Sequence, residues 1–270
     1  MTNWKLQRES LYDQYTWPEI RDLPKGDRVA VIPVGAVEEH GHHLPIDTDN
    51  FLLESICSEA TRRAPDDILL LPLVPYGACE TTSDYPGTIS ISPDILINYV
   101  YDIVKSLARH GFAKVLIVNG HGGNRVALDL VARRANAELG IACGAVTYWN
   151  LITKEIQELR DSEPGGVFHA CEMETSFYLH LDRSKVQMEK VVKDTGYPVT
   201  KFFGLDFAKP GVTSYVPIFS KFSQTGVVGD PTVATAEKGK KWLDSAAERL
   251  MELVKEFKKV ASERKADCGI

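Results

Sequence analysis

The chain has few cysteines, no long apolar run and a deficit of positive charge, and each shortage removes a class of protein. Its five cysteines, Cys57, Cys79, Cys143, Cys171 and Cys268, are scattered and odd in number. A disulfide framework needs paired, patterned cysteines, so reduced thiols and a cytoplasmic location are expected. No apolar stretch approaches the ~20 residues of a membrane span. Met1-Thr2-Asn3-Trp4-Lys5 lacks an apolar signal core, so no secretory leader is expected. Lys and Arg number 31 against 37 Asp and Glu, a net charge of -6. That balance gives no footing for nucleic acid or an anionic membrane as partner. Internal repeats and low-complexity segments are also lacking.

What is present is an ordinary globular composition, 44% hydrophobic over 270 residues. This is enough to bury a sizeable core, and it suits one α/β domain spanning 1–270. Short β-branched runs, Val29–Val34, Ile68–Leu73, Lys114–Val118 and Ile141–Tyr148, read as strands. Helical stripes fall between them, over Asn50–Arg63, Ser92–Arg109 and Asn124–Leu139, and a long one covers Thr235–Arg264. His110-Gly111 and Gly140 stop two of these helices. Strands alternating with helices predict a single layered domain with a mostly parallel sheet flanked by helices. Residues 151–168 are charged and end in glycines, which suggests an insertion or lid.

Three stretches carry chemistry. The first runs Gly35-Ala36-Val37-Glu38-Glu39-His40-Gly41-His42-His43-Leu44-Pro45 and on to Asp49, just past the first strand. Glu38 and His40 are two apart, so in an extended segment they point the same way, with Glu39 opposite and the weaker candidate. Two carboxylates and an imidazole on one loop suit a divalent metal. Taken alone, the stretch fits a solvated polar loop equally well. The second, Asn119-Gly120-His121-Gly122-Gly123-Asn124, again ends a strand in glycine and delivers a histidine. Two strand ends carrying ligand-type side chains can meet in one crevice. The third is Gly165-Gly166-Val167-Phe168-His169-Ala170-Cys171-Glu172-Met173-Glu174-Thr175-Ser176. If a helix opens at Glu172, then His169, Glu172 and Ser176 share a face. Glu174 falls on another face, where a helix N-terminus favours a carboxylate in any case.

Together the three stretches resemble the creatininase (creatinine amidohydrolase) family. Tyr85-Pro86-Gly87-Thr88-Ile89-Ser90 and Gly226-Val227-Val228-Gly229-Asp230-Pro231 extend the likeness over nearly the whole chain. The resemblance implies a creatininase-like fold and two divalent ions, with Zn, Mn and Fe all compatible. It implies Glu38 and His121 on one ion, His40 on the other and Asp49 bridging. Creatininase itself places a second-metal Glu where this chain has Gly123, so Glu172 is the expected replacement. A hydroxide shared by the ions would attack a carbonyl, with His169 moving the proton to the leaving group. Cys79, Gly122 and Trp149 are candidates for substrate contact. Cys79 also reads as an inert buried thiol, and Trp149 equally as a core residue. Gly122 replaces an aromatic of creatininase, which widens the pocket and disfavours creatinine. The implied substrate is a small, polar, cyclic amide or formamide. The alternative is C–C hydrolysis of a cyclic diketone such as a keto-inositol, and a non-catalytic metal-binding protein is the reading from another class. The resemblance also implies a homo-oligomer, with a hexamer as the assembly.

Overall fold

Four apolar runs form one all-parallel sheet in the order β2-β1-β3-β4. They are β1 (Val29–Val34), β2 (Ile68–Leu70), β3 (Lys114–Asn119) and β4 (Ala142–Thr147). The computed structural model describes residues 6–198, 200–209 and 211–261. β1 is central, pairing Val29 with Ile68 on one side and Ala30 with Val115 on the other. After β1 the chain builds β2 to one side, then crosses β1 to place β3 on the other. The strand order therefore reverses between β1 and β3, and in such sheets ligands bind beyond the carboxyl ends at this reversal.

The period-2 alternation of the strands divides the core into two layers. Val29, Val31, Leu116 and Val118 face helices α2 (Thr48–Arg63), α6 (Glu172–Asp182) and α7 (Ala236–Phe257). Ala30, Ile32, Val34, Val115 and Ile117 face α3 (Pro93–Arg109) and α4 (Arg125–Leu139). A short helix near the amino end, α1 (Trp17–Asp22), adds Ile20 to this second layer. A parallel sheet covered on both faces explains why the strands read as continuous hydrophobic runs.

The segment expected as a lid is packed structure. Its helix α5 (Thr153–Leu159) lies on α7, and the Glu155 carbonyl accepts from the Trp242 indole at 3.0 Å. Arg160 pairs with Asp206 through both carboxylate oxygens, at 2.8 and 3.0 Å. The apolar stripe of α7, including Leu243, Ala247, Leu250 and Val254, is spent inside the core. The predicted end of that helix at Arg264, like Cys268, lies outside the described residues.

Candidate active site

The reversal point gathers the ligand-type side chains. Glu38 and His40 follow β1, Asp49 sits in the first turn of α2, and His121 follows β3. Glu174 comes from the first turn of α6 and His169 from the segment before it. All six are at most 7% exposed. His121 Nδ1 lies 3.0 Å from Glu38 Oε2 and 2.9 Å from Asp49 Oδ2. His40 Nε2 lies 3.3 Å from Asp49 Oδ1 and 3.8 Å from Glu174 Oε1. Asp49 thus turns one oxygen to each imidazole. The His40 and His169 rings are neighbours, with centroids 4.4 Å apart.

The outer nitrogens decide what the inner ones can do. His121 Nε2 is 3.0 Å from the Ala78 carbonyl, and His40 Nδ1 is 3.2 Å from the Glu38 carbonyl. A carbonyl only accepts, so both outer nitrogens carry the proton. In the neutral rings the inner nitrogens are then bare, and each faces carboxylates. His40 Nε2 and Asp49 Oδ2 are buried with no hydrogen-bond partner. Lone pairs aimed at lone pairs in a buried space call for a proton or a metal cation between them, and outer contacts of this kind are how metal-binding imidazoles are oriented. Burial alone would lower the pKa of both imidazoles, yet the facing carboxylates outweigh it and raise both well above the ordinary value. Despite burial, the imidazoles in turn hold Glu38 and Asp49 below the usual carboxylate range. The field that would draw in protons is one that divalent cations fit.

His169 is arranged differently. Its Nε2 donates to the Glu39 carbonyl at 2.9 Å and to Glu39 Oε1 at 3.0 Å, which leaves Nδ1 turned towards Glu38 Oε2 at 3.8 Å. Burial lowers the His169 pKa, but Glu38 and Glu39 together raise it above the ordinary value. Glu39, the weaker candidate by sequence, therefore backs the His169 ring. Its other oxygen accepts from Gly41 N at 2.8 Å. Gly226, with φ 80°, lies against the Glu39 carboxylate where any Cβ would collide with it.

Glu172 does not take the place expected of it. Its carboxylate is paired with Lys238 Nζ at 2.5 Å and accepts from the backbone of Asp161 and Ser162 at 2.9 and 3.0 Å. It ties α6 to α7 and to the segment after α5, and it belongs to none of the clusters of ligand atoms. Glu174 stands beside His40 instead, and its second oxygen accepts from Cys171 N at 3.2 Å. The cause is Ala170, whose φ of 49° puts a left-handed residue between His169 and the helix. His169 itself bridges to Val228 in an extended segment. Helical spacing from His169 thus does not apply, and the helix starts with a different phase.

The remaining candidates separate. Trp149 stacks on Phe207 with centroids 4.3 Å apart and lies in the core, so its core role is the one the packing supports. Gly122 is exposed with open space beside it, and Cys79 is buried next to Glu38 and His121. Gly123 admits no side chain, since a Cβ there would run into the Ala78 carbonyl. Asn119 and Asn124 brace the turn. Asn119 Oδ1 accepts from His121 N at 3.0 Å, and Asn124 Nδ2 donates to the Gly35 carbonyl at 3.0 Å.

Comparison with known proteins follows the same line. The family described as Creatininase, creatinine amidohydrolase, matches residues 13–254. A mycofactocin precursor peptide peptidase of Mycobacterium tuberculosis is 32% identical over 227 residues, 81% of each chain. A creatinine amidohydrolase of Pseudomonas putida is 28% identical over 93% of this chain and 98% of its own. A 3-dehydro-scyllo-inosose hydrolase of Thermotoga maritima is 25% identical over 91% and 83%. Among solved structures, manganese and Zn-Zn forms of creatininase each align with a TM-score of 0.76 at 26% identity, covering 93% of this chain and 99% of theirs.

Proposed function

Because the chain belongs to the creatininase family of metal-dependent hydrolases, we propose that it uses two divalent cations to hydrolyse a small, polar, cyclic amide or formamide. Glu38 and His121 would hold one ion, His40 and Glu174 the other, and Asp49 both. Such a pair, when bound, would supply a strongly acidified water and a Lewis acid for a carbonyl. The observation that carries this reading is the pair of inner nitrogens, His40 Nε2 and His121 Nδ1, each aimed at carboxylates while its outer nitrogen is committed to a carbonyl. Zinc and manganese are the metals that the aligned creatininases carry, and iron also accepts this donor set.

His169 takes and returns a proton at Nδ1, the ring atom facing the carboxylates, because Nε2 is occupied by Glu39. Glu39 is a positioning residue that fixes the tautomer and the plane of the ring. A purely structural metal site has no use for such an imidazole, which argues against a non-catalytic binding protein. The depth of the cluster favours a compact substrate. Phe219 stands edge-on to His169 at 5.2 Å and packs against the ring. Open space at Gly122 leaves room for polar substituents. The likeness to an inosose hydrolase supports C–C hydrolysis of a cyclic diketone as the second reading.

The test pairs metal content with turnover. Zinc- and manganese-loaded protein is assayed on cyclic amides, formamides, short peptides and cyclic diketones. His169→Ala should keep both ions and lose about 10²–10⁴-fold in kcat. Metal-loaded protein that turns over none of the four classes would sink the proposal.

A further inference from the structure

We propose that Cys79 is itself a metal ligand, a thiolate completing the donor set of Glu38, Asp49 and His121. The inference rests on the dinuclear reading above, and it gives one of the two ions a sulfur donor.

The backbone around Cys79 is fixed on every side. Cys79 N donates to Ser90 Oγ at 2.8 Å, and its carbonyl accepts from Thr82 N at 3.2 Å and Thr82 Oγ1 at 3.3 Å. Ala78 N donates to Asn124 Oδ1 at 2.9 Å, and the Ala78 carbonyl receives His121 Nε2 at 3.0 Å. The peptide that orients the His121 ring therefore also sets the Cys79 side chain. The same Thr82 hydroxyl donates to Glu38 Oε1, so one turn clasps both the cysteine and the carboxylate. The Cys79 sulfur, a His121 ring nitrogen and a Glu38 oxygen lie within 4.8 Å of one another, and all three residues are buried.

Two further observations point to a ligand. Asp49 Oδ2, buried and without a hydrogen-bond partner, lies 2.9 Å from His121 Nδ1 and so adjoins this cluster through the His121 ring. Among the described cysteines, Cys57, Cys143 and Cys171 pack into the two hydrophobic layers, whereas Cys79, equally buried, joins neither. A cysteine serving only as a small apolar filler would sit among apolar neighbours. Here it sits among carboxylates and an imidazole. Sulfur, nitrogen and a carboxylate oxygen form a three-donor set that zinc accepts and that manganese, preferring harder ligands, accepts less well. Burial raises the thiol pKa in the metal-free protein. Binding a divalent cation reverses this by expelling the thiol proton to solvent.

Cobalt(II) titrated into chelator-treated protein reads the thiolate directly. The wild type and a Cys143→Ala control should both show a near-ultraviolet sulfur-to-cobalt charge-transfer band alongside the visible d–d bands. Cys79→Ser should lose the charge-transfer band and keep the d–d bands. Zinc X-ray absorption on the wild type needs no variant and should contain a sulfur shell at about 2.3 Å. Cobalt bound with d–d bands but no charge transfer, or a charge-transfer band that survives Cys79→Ser, overturns the proposal and leaves the dinuclear reading standing. Failure of cobalt to bind at all overturns both.

Discussion

Asp49 is the residue on which the two halves of the site depend, because its two oxygens face different imidazoles. A carboxylate shared by two cations offsets their mutual repulsion, so Asp49→Ala should lose both ions together. His40→Ala should lose mainly one, leaving Glu38 and His121 with the other. Elemental analysis of folded variants distinguishes this from indirect effects, which typically cost about 10–100-fold in affinity. Equal loss in both variants would remove the bridging role. Glu172 and Glu174, two residues apart, should separate as cleanly. Glu172→Gln breaks a buried ion pair with Lys238 and should lower stability by about 3 kcal/mol in denaturant titrations while both metals stay. Glu174→Gln should cost one ion. At this scale the sequence points to residues that the structure brings together wherever they follow a strand closely in the chain, as for Glu38, His40 and His121. It misled at the third motif, because nothing in the residue types announces that Ala170 adopts a left-handed conformation. Glu39 was underrated for a related reason. Its partner His169 is 130 residues away, and no local pattern encodes that contact.

The strands and the turns that follow them act as units. β1 and β3 were readable nearly to the residue, since apolar runs rich in β-branched residues between two helical layers leave few alternatives. β2 was overextended. It ends at Leu70, three residues short of the expected end. Helix α5 was missed because a short amphipathic segment beside charged residues looks like loop. The turn after β3 is held by contacts that only the fold reveals, above all the close passage of Gly123 beneath the Ala78 carbonyl. Gly123→Ala should therefore push the Ala78–Cys79 peptide away and tilt His121 with it. The expected outcome is weaker binding of the ion shared by Glu38 and His121, read by isothermal titration with zinc. Unchanged affinity would mean that the turn tolerates the shift.

Taken whole, the molecule is a three-layer sandwich with its chemistry at one edge, and among the described residues no helix is long and apolar enough to cross a membrane. The resemblance implies a homo-oligomer, but the apolar face of α7 is consumed by α6 and α2 and is not available for it. One group of exposed apolar residues lies on the opposite layer, where Ile95 and Tyr99 of α3 and Val126 and Leu130 of α4 are between 48% and 68% exposed. If copies associate there, light scattering should give a mass above 30.0 kDa, and Tyr99→Glu with Leu130→Glu should return it to the monomer value. A monomeric wild type at micromolar concentration would dismiss the assembly. The spread of the site along the chain has a kinetic consequence. Glu38 and Glu174 are 136 residues apart (174 − 38), and His121 comes into position only when β3 docks on β1. No short piece of nascent chain holds a complete site, so metal should join after the folding barrier instead of templating the nucleus. Interactions absent from the transition state leave the folding rate alone and slow unfolding. Stopped-flow refolding of the chelated protein should run at the same speed with or without zinc, while zinc prolongs the lifetime of the native state against denaturant.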